Sequence, residues 1–169
     1  MFSREAIQSR VSELADAINQ HYDADTEVVC ACVANGAFIF YADLVRKLNC
    51  RVIFDVVVLS SYLGSKTTGK VKVVKRLSKV IKNRHVLIIE DIIDSGLTMN
   101  TLQTIIKVEE PKSLRTVSLL KRRHQRYACD IDHYGFEVQV EDFLIGYGLD
   151  GGTNYNPMLD YISLVKKPE

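Results

Sequence analysis

Two rhythms of apolar residues alternate along the chain, and they divide it into helices and strands. Ile7, Val11, Leu14, Ala15 and Ile18 stand three and four residues apart behind Ser3, an available N-cap, which predicts an amphipathic opening helix. Glu27 to Val33 is a short apolar run and predicts a strand. After Ala34-Asn35-Gly36-Ala37, the spacing from Phe38 to Leu48 is helical again. Arg51 to Leu59 is rich in valine and isoleucine, as a buried strand is, and Val71 to Leu77 alternates apolar with basic residues, as a half-exposed one does. His85 to Glu90 is too short and too apolar for a surface helix and predicts a fully buried parallel strand. Thr98 to Val108 reads as a helix and Leu114 to Leu120 as the next strand. Further strands are expected at Phe143 to Tyr147 and Tyr161 to Val165. Strands alternating with helices imply crossover connections, hence an α/β fold with a mainly parallel sheet covered on both faces.

Composition narrows the function classes. The chain has 169 residues, 47% hydrophobic and 25% charged, enough for one domain with a real core, and no linker or repeat divides residues 1 to 169. Its 22 basic residues nearly balance 21 acidic ones, so no global field draws it to nucleic acid or to an acidic membrane, and neither is an expected partner. The apolar runs fall well short of the roughly 20 residues of a membrane helix. Met1 to Arg10 lacks the apolar centre of a signal peptide, so a cytoplasmic protein is expected. Cys30 and Cys32 fall on one face of a strand and read as core residues, since the spacing and second ligand pair of a zinc site are missing.

The chemistry concentrates after the strand His85 to Glu90, in Glu90-Asp91-Ile92-Ile93-Asp94-Ser95-Gly96-Leu97-Thr98. Ligands of open α/β sheets lie beyond the carboxyl ends of strands. Three carboxylates in one loop repel one another unless sugar hydroxyls, a metal ion or a proton to be removed lies between them. Gly96 lets successive amides turn inward, and the helix that follows adds its positive end, which together make a phosphate cradle. Ser95 and Thr98 bring hydroxyls to the same place. The ordinary alternative is that Asp94, Ser95 and Thr98 merely cap the helix.

This run resembles the phosphoribosyl pyrophosphate motif of type I phosphoribosyltransferases, and its isoleucine pair is similar to the hypoxanthine-guanine branch. The resemblance extends from about Glu27 to Val165. It implies the type I phosphoribosyltransferase fold, a central mainly parallel sheet flanked by helices, with a small hood subdomain and a flexible lid loop. It implies purine salvage: transfer of a phosphoribosyl group from phosphoribosyl pyrophosphate to a 6-oxopurine with magnesium, commonly in a homodimer or homotetramer. By resemblance Glu90 and Asp91 hold the ribose hydroxyls, Asp94 is the catalytic base, and Asp94, Ser95, Gly96, Leu97 and Thr98 hold the 5′-phosphate. Lys121 meets the purine 6-oxo group, Phe143 stacks on the base with Leu144, Ile145 and Asp150 nearby, Asp150 contacts a second magnesium through water, and Glu90 and Asp91 count with it as metal residues. Ala34, Asn35 and Gly36 form the pyrophosphate loop, and Ser61 and Tyr62 open the lid.

Two positions depart from the family pattern. Ala34-Asn35-Gly36 lacks the usual basic residue, and no arginine follows Asp150 in Gly151-Gly152-Thr153-Asn154-Tyr155-Asn156-Pro157. Both losses bear on pyrophosphate. Of two rival readings, an ATPase fails at Val71 and a regulator stays open. Gly64-Ser65-Lys66-Thr67-Thr68-Gly69-Lys70 has the spacing of an ATPase P-loop, although Val71 stands where a serine or threonine binds magnesium. The basic run Lys121-Arg122-Arg123-His124-Gln125-Arg126 would suit a regulator on the same scaffold that binds nucleotide or RNA.

Overall fold

The computed structural model describes residues 2–61, 71–149 and 156–165. Its elements, in order, are α1 (Arg4–Asn19), β1 (Glu27–Ala34), α2 (Phe38–Val45), β2 (Arg51–Ser61), β3 (Val71–Lys75), β4 (His85–Ile93), α3 (Leu97–Val108), β5 (Ser113–Arg122), β6 (His133–Val138), β7 (Phe143–Ile145) and β8 (Ser163–Val165). Ser3 caps α1, its side chain accepting from the Ala6 N–H at 3.3 Å. Helix α2 stops at Val45 instead of running to Leu48. The Lys47 and Leu48 amides bond carbonyls three residues back, at Leu44 and Val45, which is the tighter turn on which many helices end.

Six strands form one sheet in the order β3-β2-β1-β4-β5-β6, parallel except where β3 pairs antiparallel with β2. Strand β3 follows the Gly64 to Lys70 run directly, whereas a P-loop opens a helix, so the ATPase reading falls away. Strand β6 was not expected. Its burial recurs every third residue, at Gly135 and Val138, and its Tyr134 is exposed, so the period-two signature is missing.

The sheet is covered on both faces. On one, Ile7, Val11, Leu14 and Ile18 of α1 and Phe40 and Leu44 of α2 pack with Cys30, Cys32, Leu87 and Ile89. On the other, Met99, Leu102 and Ile106 of α3 pack with Val29, Val86 and Ile88. Each large side chain buried in this way contributes roughly 1.5–3 kcal/mol. A two-stranded antiparallel sheet, β7 with β8, makes a small hood, tied to the chain start by the Phe2–Ile162 bridge. Its Leu144, Tyr147 and Leu149 join the first core.

The strand order locates the site. Strand β1 connects to β2 on one side and lies against β4 on the other, so the connections leaving β1 and β4 diverge and open a crevice at their carboxyl ends. No helix among the described residues is long and apolar enough to cross a membrane.

Candidate active site

The turn after β4 supplies one wall. Among the described residues, residues 90 to 99 line a cleft of about 220 Å³ by themselves. Glu90 ends the continuous buried run of the strand at 9% exposure. Burial, then the like charge of Asp91, pushes its carboxyl well above the ordinary range. Cationic or hydroxyl partners at this pair would offset that cost. The Asp91 N–H turns back to Glu90 Oε1 at 3.1 Å, and the Ile92 N–H donates to Asp91 Oδ1 at 2.8 Å, which fixes how both carboxylates point.

At the far end of the turn Gly96 is the N-cap of α3, with φ +83°, and among the described residues no side chain caps the helix. Asp94, Ser95 and Thr98 are therefore not its caps. The first amides of a helix have no partner within it, so the start of α3 presents N–H donors and its positive dipole end to the cleft. Gly96 also lies against Cys129, where a β-carbon would come within 2.7 Å of Sγ.

The connection after β1 supplies the second wall. The peptide between Ala34 and Asn35 is cis. Gly36 abuts Asp91: a β-carbon there would stand 2.0 Å from Oδ2. From Ala34, Asn35 and Gly36 a larger and mostly apolar cavity of about 490 Å³ runs past Phe38, Phe54 and Met158. The hood closes on the same loop, since a β-carbon on Gly148 would meet the Gly36 carbonyl oxygen at 2.3 Å. The Tyr147 hydroxyl donates to Asp43 of α2 at 2.6 Å and anchors that approach.

Three segments therefore converge: the loop of residues 34–36, the acidic turn at Asp91, and Gly148 just beyond the hood strand β7. The chain matches the family model described as phosphoribosyl transferase domain over residues 3–151. It is a member of the phosphoribosyltransferase family. It is 37% identical over 169 residues to the hypoxanthine-guanine-xanthine phosphoribosyltransferase of Tritrichomonas foetus, covering 99% of this chain and 91% of that one. With the hypoxanthine-guanine phosphoribosyltransferase of Aquifex aeolicus it shares 40% over 154 residues, 90% of this chain and 86% of that one. The crystal structure of a hypoxanthine phosphoribosyltransferase from Staphylococcus aureus superposes with a TM-score of 0.89 at 30% identity, covering 98% of this chain and 90% of that one.

In this phosphoribosyltransferase two neighbouring residues of β5 are held differently. Lys121 is held beside its own sheet. Its Nζ bonds Glu137, its partner across β6, at 3.1 Å and lies 3.9 Å from the ring centroid of Tyr134 and 5.1 Å from that of Tyr127. Successive strand residues point to opposite sides, so Arg122 takes the other direction. Its Nη1 donates to the carbonyls of Gln139, Val140 and Asp142 at 2.8–2.9 Å, in the connection that leads into Phe143. Asp150 and Tyr62 lie outside the described residues, as does the rest of the expected lid to Lys70; Ser61 is the last residue of β2.

One site residue carried no sequence signal. His124 Nε2 lies 2.6 Å from Asp94 Oδ1, and because a carboxylate only accepts, Nε2 carries the hydrogen. In the sequence it was one more member of a basic run.

Proposed function

We propose that this phosphoribosyltransferase moves the 5-phosphoribosyl group of phosphoribosyl pyrophosphate onto a 6-oxopurine, hypoxanthine and also guanine, in purine salvage. The observation that carries this is the single cleft along residues 90–99, where two carboxylates, a third acid and an uncapped helix start succeed one another. They suit, in order, the ribose hydroxyls, the proton leaving the base and the 5′-phosphate. The names of the relatives support the same reaction.

In the step itself the bond from the ribose anomeric carbon to pyrophosphate breaks and a bond to the purine nitrogen N9 forms. The proton on N7 passes to Asp94, and pyrophosphate leaves with the electron pair. Positive charge develops on the sugar, and the carboxylates of residues 90–94 stabilise it. Magnesium would be held by Glu90, Asp91 and Asp150 together with the substrate's own phosphates, and would neutralise the leaving group. Among the described residues no group of three histidine, cysteine, aspartate or glutamate side chains could close around an ion. Magnesium is usually bound by one or two carboxylates plus phosphate oxygens, which Glu90 and Asp91 would supply together with the substrate. Lys121 is the residue proposed to meet the 6-oxo group, with Arg122 holding the connection that leads into Phe143. The exposed Phe38, Phe54 and Met158 support assembly into a homodimer or homotetramer, and four free cysteines suit the cytoplasm.

The test is incubation with phosphoribosyl pyrophosphate, magnesium and hypoxanthine, guanine or xanthine in turn. Formation of the nucleoside monophosphate with one equivalent of pyrophosphate supports the proposal. Retention of RNA with no turnover would favour a regulator on this scaffold.

A further inference from the structure

We propose that His124 is a positioning residue that aims the catalytic carboxylate of Asp94, an inference that rests on the base role given to Asp94 above. The side chain of Asp94 is 63% exposed, and among the described residues the bond from His124 is its one hydrogen bond. A carboxylate on an exposed turn rotates freely unless something holds it, and an acceptor for one particular proton must keep its lone pair within hydrogen-bond reach of that proton. His124 donates to Oδ1, which leaves Oδ2 for the purine.

The donor is itself held. Its side chain is only 26% exposed, and its ring meets that of Tyr127 edge-on, with centroids 6.0 Å apart and planes at 84°. The His124 amide donates to the Tyr127 hydroxyl at 3.3 Å, and that hydroxyl donates in turn to the Arg122 carbonyl. The ammonium of Lys121 lies over the same ring, fixed from behind by Glu137, which also accepts from Arg123. The segment is pinned to the acidic turn a second time, where the Ala128 N–H donates to the Ser95 carbonyl at 3.0 Å and Cys129 packs on Gly96. The strap of residues 122–129 thus runs along the cradle and delivers one side chain to the base. Lys121 acts here at one remove, steadying the ring that holds His124.

The experiment compares His124→Ala, His124→Gln and Asp94→Asn, with Asp94→Asn/His124→Ala as the double variant, by steady-state kinetics for both substrates. His124→Ala should lower kcat about tenfold to a hundredfold, in line with the effect of a misplaced catalytic group, with both KM values within about threefold. His124→Gln keeps an N–H donor and should recover most of the loss, which a purely structural role would not give. In the double variant kcat should match Asp94→Asn alone, because an aspartate that no longer acts as base gains nothing from being aimed. If Asp94→Asn lowers kcat and His124→Ala does not, or if glutamine restores nothing, the positioning role is wrong while the function stands. If Asp94→Asn leaves kcat unchanged, the underlying assignment of the base is what fails.

Discussion

Gly36 and Asp91 touch so closely that the loop after β1 and the acidic turn after β4 act as one surface, with room for a hydrogen and not for a methyl group. A β-carbon on Gly36 would stand 2.0 Å from Oδ2 and 2.8 Å from Cγ of Asp91. The obstacle is the end of a side chain, so Gly36→Ala should leave the melting temperature within a few degrees while turning the carboxylate away from the sugar. We expect kcat/KM for phosphoribosyl pyrophosphate to fall about a hundredfold, measured by steady-state kinetics. Gly148→Ala meets the backbone oxygen of Gly36 instead, at φ +94°, and should lower stability as well as activity.

Asp94→Asn should lower kcat by about a hundredfold or more and change the KM values little, since the base acts in the transition state. Single-turnover kinetics separates the two effects. An unchanged kcat would remove Asp94 from the base role.

Asp55 is a buried carboxylate that ties β2 to the segment after β3. It accepts from the amides of Val56, Ser78 and Lys79 at 2.7–2.8 Å and from the Ser78 hydroxyl at 3.0 Å, and pairs with Lys75 at 3.5 Å. Burial works against its charge, but these donors outweigh burial and hold the carboxyl below its ordinary value of 3.8. A lowered folded pKa contributes stability that is complete above the ordinary value and is lost as pH falls through the folded one. Asp55→Ala should therefore cost about 3 kcal/mol at neutral pH by denaturant unfolding. The cost should shrink in strong acid. A loss independent of pH would show that packing, and not the charge, is what matters there.

The four cysteines should resist modification in the native chain. Burial pushes the Cys32 thiol up to about 12 and Cys129 up to about 11, and Cys30 and Cys50 also rise. At pH 8 about one part in a thousand of Cys129 is thiolate, so a disulfide reagent should count no fast thiols before unfolding and four after it. Rapid labelling of Cys129 would mean that its packing on Gly96 opens.

Most of the fold was legible because its signals are local. The alternation of buried apolar runs with amphipathic segments gave β1, β2, β4, β5, α1 and α3 within a few residues of their ends. Strand β6 was hidden, because Gly135 interrupts it and its buried positions do not alternate. The acidic turn was legible for a similar reason, as its residues are contiguous and one strand end places them all. What lies across the crevice was not. Whether Lys121 or Arg122 holds the connection into Phe143 depends on strand phase, and one residue reverses it. His124 reaches Asp94 from thirty residues away through the fold of a strap, and nothing in a basic run reveals that.

The central claim is that the turn of residues 90–98 grips a ribose by its hydroxyls and its 5′-phosphate, and a crystal structure with bound inosine monophosphate tests it most directly. We expect phosphate oxygens within hydrogen-bond distance of the amides at the start of α3, the ribose hydroxyls on Glu90 and Asp91, and N7 facing Asp94. A nucleotide seated elsewhere, with that turn vacant, would contradict the account.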